Sequence, residues 1–168
     1  MAIIEPDSLG LLYRRHAPAL RLYARQWPGA GEDLVHDAFV KLARQAPPPD
    51  NVLAWLYRVV RNGALTAQRA FRRRQRHEGR AAERQPAWFE PNEGDALDAG
   101  EAAAALERLP WEQCEVIVAH LWGGLTFEEI GQVMRCSSST AHRWYAAGIA
   151  TLRERLKVPC PQSRPTRR

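Results

Sequence analysis

The segment WLYRVVRN, residues 55–62, contains three residues with complementary chemistry. Trp55, Arg58 and Asn62 are three and four residues apart, so a helix would place them on one side, opposite Leu56 and Val60. An aromatic ring, a guanidinium and an amide on one surface can stack on, neutralise and hydrogen-bond an unstacked nucleic-acid base. Trp55 could instead belong to a hydrophobic core, and the spacing alone leaves both interpretations open.

An arginine-rich segment follows directly. Residues 58–84 contain nine arginines and two glutamates, and the run RAFRRRQR at 69–76 could bind backbone phosphates or simply end a solvated helix. Residues 85–115 carry eight acidic groups and one arginine, whereas residues 116–168 carry eight basic and three acidic groups. Two basic zones separated by an acidic one, with a net charge of +5, favour a polyanionic partner.

A second candidate site lies in LTFEEIGQVMRCSSSTAHRWYAAGIATLRERL, residues 125–156. Thr126 and Glu129 have the spacing of a capping box, and after a short turn Ser137 or Ser138 can cap another helix. Two helices joined in this way predict a helix-turn-helix, whose second helix enters a DNA major groove, although a plain helical hairpin is the alternative. The first turns of that helix would present hydroxyl, imidazole and guanidinium groups suited to phosphates and guanine edges. These groups belong to Ser138, Ser139, His142 and Arg143.

An acidic surface precedes both basic sites. Asp33, His36 and Asp37 share the polar face of a predicted helix over residues 31–45. Early acids are favourable at a helix N-terminus because of the macrodipole. The alternative is that this face docks another protein.

The motifs of common catalytic and metal sites are missing from the sequence. It contains no GxSxG, HExxH or P-loop, and its five histidines have no ligand spacing. Cys114, Cys136 and Cys160 are far apart and form no CxxC, which predicts free thiols rather than a disulfide framework or a zinc site. No apolar run of membrane-spanning length and no secretory signal is visible. We therefore expect a cytoplasmic protein that is not an enzyme and needs no cofactor.

Helical spacing of apolar residues dominates the chain, and no β pattern persists. Pro18 lies inside the first predicted helix and could kink or split it. The predicted helices cover residues 8–26, 31–45, 52–76, 101–108 and 111–121, followed by the two helices of the candidate helix-turn-helix.

The predicted fold class is all-α, with two small domains over residues 1–78 and 101–157. The acidic, proline- and glycine-containing stretch 79–100 predicts a flexible linker between them. The tail 158–168 is predicted to be disordered.

Four segments together resemble bacterial RNA polymerase sigma factors, and most closely the extracytoplasmic-function (ECF) group. The segments are EDLVHDAFVKL (32–42), WLYRVVRN (55–62), LERLPWEQCEVIVAHLWGGLTFEEIGQVM (106–134) and SSSTAHRWYAAGIATLRERL (137–156). They are similar, in order, to conserved regions two and four of that family, and the ECF group keeps only those two domains joined by a linker. The resemblance covers most of residues 8–157.

The resemblance implies a factor that binds core RNA polymerase and directs promoter recognition and transcription initiation. It implies contact with the clamp helices of the β′ subunit through Glu32, Asp33, His36 and Asp37. It implies opening of the minus-ten element by Trp55, Arg58, Arg61, Asn62, Arg69, Arg72 and Arg73, with Asn62 against a flipped-out base. It implies that the second domain sits on the β-subunit flap and reads the minus-35 element. The residues that would read it are Ser138, Ser139, Thr140, His142 and Arg143.

The sequence departs from the family pattern at several of these positions. His36 stands where the family usually has glutamine, Asp37 stands where it often has glutamate, and TAHRWYAAG replaces a Thr-Val-Lys-Ser-Arg type run. The minus-35 sequence is therefore left open. Many relatives have an anti-sigma factor, so one is a candidate partner. The alternative function is a helix-turn-helix regulator that binds duplex DNA without polymerase.

Overall fold

The computed structural model describes residues 4–31, 33–78 and 104–156, and within these ranges the chain is helical and contains no strand. The helices are α1 (Pro6–Ala24), α2 (Asp33–Arg44), α3 (Val52–Glu78), α4 (residues 104–107), α5 (Trp111–Leu121), α6 (Phe127–Met134) and α7 (Ser138–Arg155). The all-α prediction is confirmed, and most predicted helix bounds agree to within about two residues. The predicted linker and the C-terminal tail lie outside the described residues.

Helices α1, α2 and α3 form the first domain. The apolar stripe of α2, whose members recur at helical spacing, is buried and comprises Val35, Ala38, Phe39 and Leu42. On α3 the side chains of Leu56, Val60 and Ala64 are fully buried, while Val59 is half-buried. Helix α1 is not split at Pro18, whose ring lies on the exposed side of the helix.

Side-chain caps fix where the helices begin. The backbone N–H of Ala54 donates to Asn51 Oδ1 at 2.9 Å, so Asn51 caps α3. The predicted capping box of α6 is present, since Thr126 and Glu129 satisfy each other's backbone N–H groups. Ser137 caps α7 by accepting from the N–H of Thr140 at 3.1 Å.

The helix-turn-helix turn closes without a glycine at the left-handed position. Arg135 ends α6 with φ 59° and ψ 47°, a conformation that glycine adopts more readily than arginine. The backbone N–H of Cys136 donates to the carbonyl of Gly131 at 2.9 Å and ties the turn to α6. The left-handed backbone conformation of Arg135 and the hydrogen bond from Cys136 to Gly131 thus set the angle between α6 and α7.

Helices α5, α6 and α7 form the second domain, and the first domain packs directly against it. Six consecutive α5 residues, Cys114 to Ala119, are buried. A helix of a small domain normally exposes one face, so burial on every side requires cover from both domains. Helix α1 packs on one side of α5, where Arg61 of α3 also reaches Glu115, and α6 and α7 pack on the other side. The sequence predicted two domains, but not the continuous core that joins them.

Candidate nucleic-acid and partner interfaces

The predicted base-binding trio lies along one side of α3. Arg58 and Asn62 are exposed, whereas Trp55 is half-buried and packs against the core. The ring of Trp55 therefore supports the core and still borders a surface, and its stacking on a base stays a prediction. A cleft of about 310 Å³ opens beside it, lined on the first domain by residues that include Trp55, Arg58 and Asn51. The amide that lies there with the ring and the guanidinium is that of Asn51, while Asn62 is not among the lining residues, so capture of a base by the predicted trio stays a prediction.

The arginine run continues this surface towards the C-terminal end of α3. Arg69, Arg72 and Arg73 are all exposed, and α3 is a single helix of 27 residues. A rigid helix that carries a row of guanidinium groups can follow a nucleic-acid backbone. Contact of these residues with DNA stays a prediction.

Arg61 differs from the other predicted DNA-binding arginines because it faces the junction of the two domains. Its Nε lies 2.7 Å from Glu115 Oε1 on α5, and the hydroxyl of Tyr23 donates to the same oxygen at 2.5 Å. The Arg61 side chain is 14% exposed and that of Glu115 is 0% exposed, so water screens the pair very little.

The protonation of Glu115 follows from its two donors. Burial raises the pKa of the Glu115 carboxyl, while the contacts with Arg61 and Tyr23 act in the opposite direction. For Arg61, burial acts to lower the pKa but the hydrogen bond to Glu115 and its charge raise it. Arg61 and Tyr23 both donate to the same oxygen, and the guanidinium of Arg61 carries a permanent positive charge and cannot accept, so this arrangement favours the carboxylate form of Glu115. Removal of one member of such a buried pair costs on the order of 3–5 kcal/mol.

The start of α7 presents the predicted minus-35 residues unequally. Ser138, Ser139, His142 and Arg143 are exposed. Thr140 is half-buried, and its hydroxyl lies 2.9 Å from the hydroxyl of its capping partner Ser137. Thr140 therefore contributes mainly to the N-terminal cap of α7. The ring of His142 stands edge-on to Phe127 of α6, with the ring centres 5.1 Å apart, which restricts its orientation.

The acidic face of α2 is open in this structure. Asp33, His36 and Asp37 are exposed on the side of α2 opposite its buried stripe. Glu32 lies outside the described residues. This face is accessible to a partner, and its role in docking stays a prediction.

Metal ligands, helix hydropathy and cysteine thiols in the described residues bear on other kinds of function. No group of three or more metal-ligating side chains comes together in residues 4–31, 33–78 and 104–156. None of the helices in these ranges has the length and hydropathy needed to cross a membrane. Cys114 and Cys136 are free thiols, and burial raises the pKa of the Cys114 thiol to about 12. Cys160 lies outside the described residues.

Comparison with known families assigns both domains. The model of Sigma-70 region 2 matches residues 12–77, and the model of Sigma-70, region 4 matches residues 99–152. The chain belongs to the sigma-70 family, in its ECF group. As a sigma factor it binds core RNA polymerase and promoter DNA and directs transcription initiation. Sigma factors as a class are not enzymes.

Similar proteins cover nearly the whole of this sigma factor. It is 28% identical over 156 residues to RNA polymerase sigma factor CarQ of Myxococcus xanthus, which covers 89% of this chain and 90% of CarQ. Its fold is similar to that of the sigma factor RpoE from Bartonella quintana, solved with the anti-sigma factor NepR. The TM-score is 0.71 at 24% identity, over 93% of this chain and 100% of RpoE. CnrH, solved with the cytosolic domain of CnrY, gives a TM-score of 0.59 at 24% identity, over 94% of this chain and 92% of CnrH.

Sequence reasoning missed the residues at the junction. Glu115, Tyr23 and the cross-domain contact of Asn51 were not among the predicted site residues. The segment CEVIVA, residues 114–119, held a usable signal, because one carboxylate in an otherwise apolar run needs a buried partner.

Proposed function

We propose that this sigma factor divides its promoter functions between two domains, over residues 1–78 and 101–157, that the segment 79–100 links. In the first domain, the exposed side of α3 captures an unpaired minus-ten base with Trp55, Arg58 and Asn62. The exposure of Arg58 and Asn62, and the position of Trp55 and Arg58 in the wall of the 310 Å³ cleft, support this assignment. Phosphates of the opened strand bind the neighbouring guanidinium groups. These groups belong to Arg61, Arg69, Arg72 and Arg73.

In the second domain, the start of α7 enters the major groove at the minus-35 element. Arg143 suits a guanine edge, while Ser138 and Ser139 at the helix N-terminus suit phosphates. His142 reads a neighbouring position, and Thr140 chiefly caps the helix. The cap at Ser137 and the exposure of Ser138, Ser139, His142 and Arg143 support this division.

Docking on polymerase uses the acidic face of α2. Glu32, Asp33, His36 and Asp37 contact the clamp helices of the β′ subunit, and the second domain contacts the β flap. The exposure of Asp33, His36 and Asp37 opposite the buried stripe supports the first of these contacts.

Two further properties belong to the same proposal. The chain works in the cytoplasm, where polymerase is found, and catalyses no covalent step of its own. An anti-sigma factor restrains it, because RpoE was solved with the anti-sigma factor NepR and has a similar fold.

One observation carries the proposal: an amide, Asn62, stands exposed in line with Arg58 and Trp55 on a rigid helix. An amide can both donate to and accept from a base edge that has lost its partner, whereas alanine can do neither. Asn62→Ala should therefore impair promoter opening while the fold and core binding stay nearly unchanged. The matched control is Gln68→Ala, which removes an amide six residues further along α3, about 120° around the helix.

The measurement is permanganate footprinting with core polymerase, together with transcription from duplex templates and templates mismatched at minus ten. A mismatched template should restore part of the Asn62→Ala activity, because unpairing costs a few kcal/mol per base and no longer has to occur. Normal melting by Asn62→Ala would exclude Asn62 from the capture site. Stable binding of duplex promoter by the free chain, with no melting in the presence of polymerase, would support the duplex-binding regulator instead.

A further inference from the structure

The junction between the domains makes part of the proposed minus-ten surface inaccessible to DNA. Arg61 is the one member of that set whose guanidinium is paired inside the protein, among the residues that the structure describes. Its partner Glu115 comes from α5 of the other domain. The carboxylate oxygen accepts from Arg61 the same kind of charge-assisted hydrogen bond that a phosphate oxygen would accept.

A second contact closes the other end of the same surface. Asn51 Nδ2 donates to Glu129 Oε1 at 2.5 Å, which joins the cap of α3 to the capping box of α6. Gln132 and Val133 of α6 form one wall of the cleft that Trp55 lines. The helix-turn-helix domain thus narrows the space in which a captured base would lie.

The junction also buries polar atoms that find no partner. Trp27 Nε1, Tyr57 Oη and Glu115 Oε2 are buried and have no hydrogen-bond partner among the described residues. Each of these atoms lies in a residue at the domain contact. The Trp27 ring packs edge-on against Trp111, and the Tyr57 hydroxyl approaches Gly123. Separation of the domains would hydrate all three atoms, so the closed state is held against a desolvation penalty.

We propose that Glu115 is an internal substitute for a DNA phosphate, which latches the two domains closed and keeps Arg61 from nucleic acid. Nucleic acid or polymerase must displace Glu115 from Arg61 before α3 becomes fully available. The inference rests on the proposed minus-ten role of Arg61, but closure itself can be measured without DNA. The experiment can therefore refute domain closure by Glu115 and DNA binding by Arg61 independently of each other.

The test replaces the latch with its neutral isostere, Glu115→Gln. The amide leaves Arg61 without a counter-charge, and its NH₂ group takes the place of Oε2, which has no partner in the described residues. The matched control is Glu112→Gln, which makes the same charge change one turn earlier on α5. Closure is read from the radius of gyration in small-angle X-ray scattering, with circular dichroism to check helix content.

Nucleic-acid access is read from binding of the free chain to fluorescent oligothymidylate. If the closed state holds about nine-tenths of the molecules, opening should raise the apparent affinity by about tenfold. The slope of log K against log salt should steepen by roughly 0.7, the contribution of one more phosphate contact on a single strand. We expect Glu115→Gln to show both changes and a larger radius of gyration, and Glu112→Gln to show none of them.

Adding Arg61→Gln to Glu115→Gln separates a latch from a general loss of structure. The double variant has two amides at the junction and should become compact again without the gain in oligothymidylate affinity. An unchanged radius of gyration in Glu115→Gln would overturn the latch. Opening without tighter binding would overturn the masking of Arg61. If Glu115→Gln loses helix content, Tyr23→Phe removes one hydrogen bond to the same oxygen, and a radius equal to that of the wild-type chain would then refute the proposal.

Discussion

A close backbone contact in the helix-turn-helix makes Gly131 the most instructive position for a stability test. An added Cβ at Gly131 would lie 2.7 Å from the carbonyl oxygen of Cys136 and 3.3 Å from the backbone nitrogen of Ser138. Both atoms belong to the turn that aims α7, so neither can move without moving the recognition helix. Gly131→Ala should therefore displace the turn.

The magnitude follows from two opposing terms. Overpacking typically costs about 1–3 kcal/mol, and a clash with backbone belongs in the upper part of that range. Alanine recovers up to about 1 kcal/mol of helix propensity relative to glycine. The net destabilisation by Gly131→Ala should therefore be about 1–2 kcal/mol.

Gly10 in α1 provides a matched control with the opposite sign. A Cβ there would meet no atom nearer than Arg14 Nη1 at 3.9 Å, so only the propensity term remains. Gly10→Ala should stabilise the chain by up to about 1 kcal/mol. The two variants should thus differ by about 2–3 kcal/mol, or very roughly 5–10 °C in Tm for a chain of this size.

Urea titration followed by circular dichroism measures both variants with the same probe. The urea midpoint should fall for Gly131→Ala and rise or hold for Gly10→Ala, and Gly131→Ala should lose more transcription on templates that depend on the minus-35 element. Midpoints that shift by the same amount in the same direction would show that the turn tolerates a Cβ at Gly131 and that the close backbone contact costs no stability.

Three further predictions concern docking, promoter reading and thiol chemistry. Asp33→Arg combined with Asp37→Arg should abolish core binding in a pull-down while helix content is retained, because like charges across an interface cost several kcal/mol; wild-type recovery of core enzyme would contradict the docking assignment. Arg143→Ala should relax preference at one or two upstream base pairs in a randomised-promoter assay, at a cost of about 1–3 kcal/mol, whereas uniform weakening would assign Arg143 to phosphate. Cys114, whose pKa is raised by burial from 9.0 to about 12, should be alkylated by iodoacetamide on the order of a thousandfold more slowly in the native chain than in urea, judged from thiolate fractions. Equal rates by mass spectrometry would show that the junction opens freely.

The local features of the fold were predictable because each one follows from residues close in sequence. The buried stripe that contains Val35 and Phe39 follows from helical spacing, and the start of α6 follows from the capping pair Thr126 and Glu129. The cap of α7 by Ser137 is equally local. These rules need no knowledge of what the helices pack against.

The junction was not predictable because its contacts join residues far apart in sequence. Arg61 and Glu115 are separated by 54 positions, and Asn51 and Glu129 by 78. Spacing placed Arg61 with the other arginines of α3, and nothing local shows that one of them turns inward. The relative position of the two domains decides it. For the same reason, local rules account for the capping of α3 by Asn51 but do not reveal its contact with Glu129 of the other domain.

The covalent connection between the domains changes how strong their junction has to be. Two groups on one chain meet at an effective concentration, which is typically on the order of millimolar. Millimolar affinity corresponds to only about 4 kcal/mol, so a junction burdened by buried polar atoms can still be closed in most molecules. A partner that binds only the open form with micromolar affinity has about 8 kcal/mol available at standard concentration. When present well above its dissociation constant, such a partner can offset the closure free energy. The same sequence can thus be compact when alone and extended on its partner, without any change in either domain.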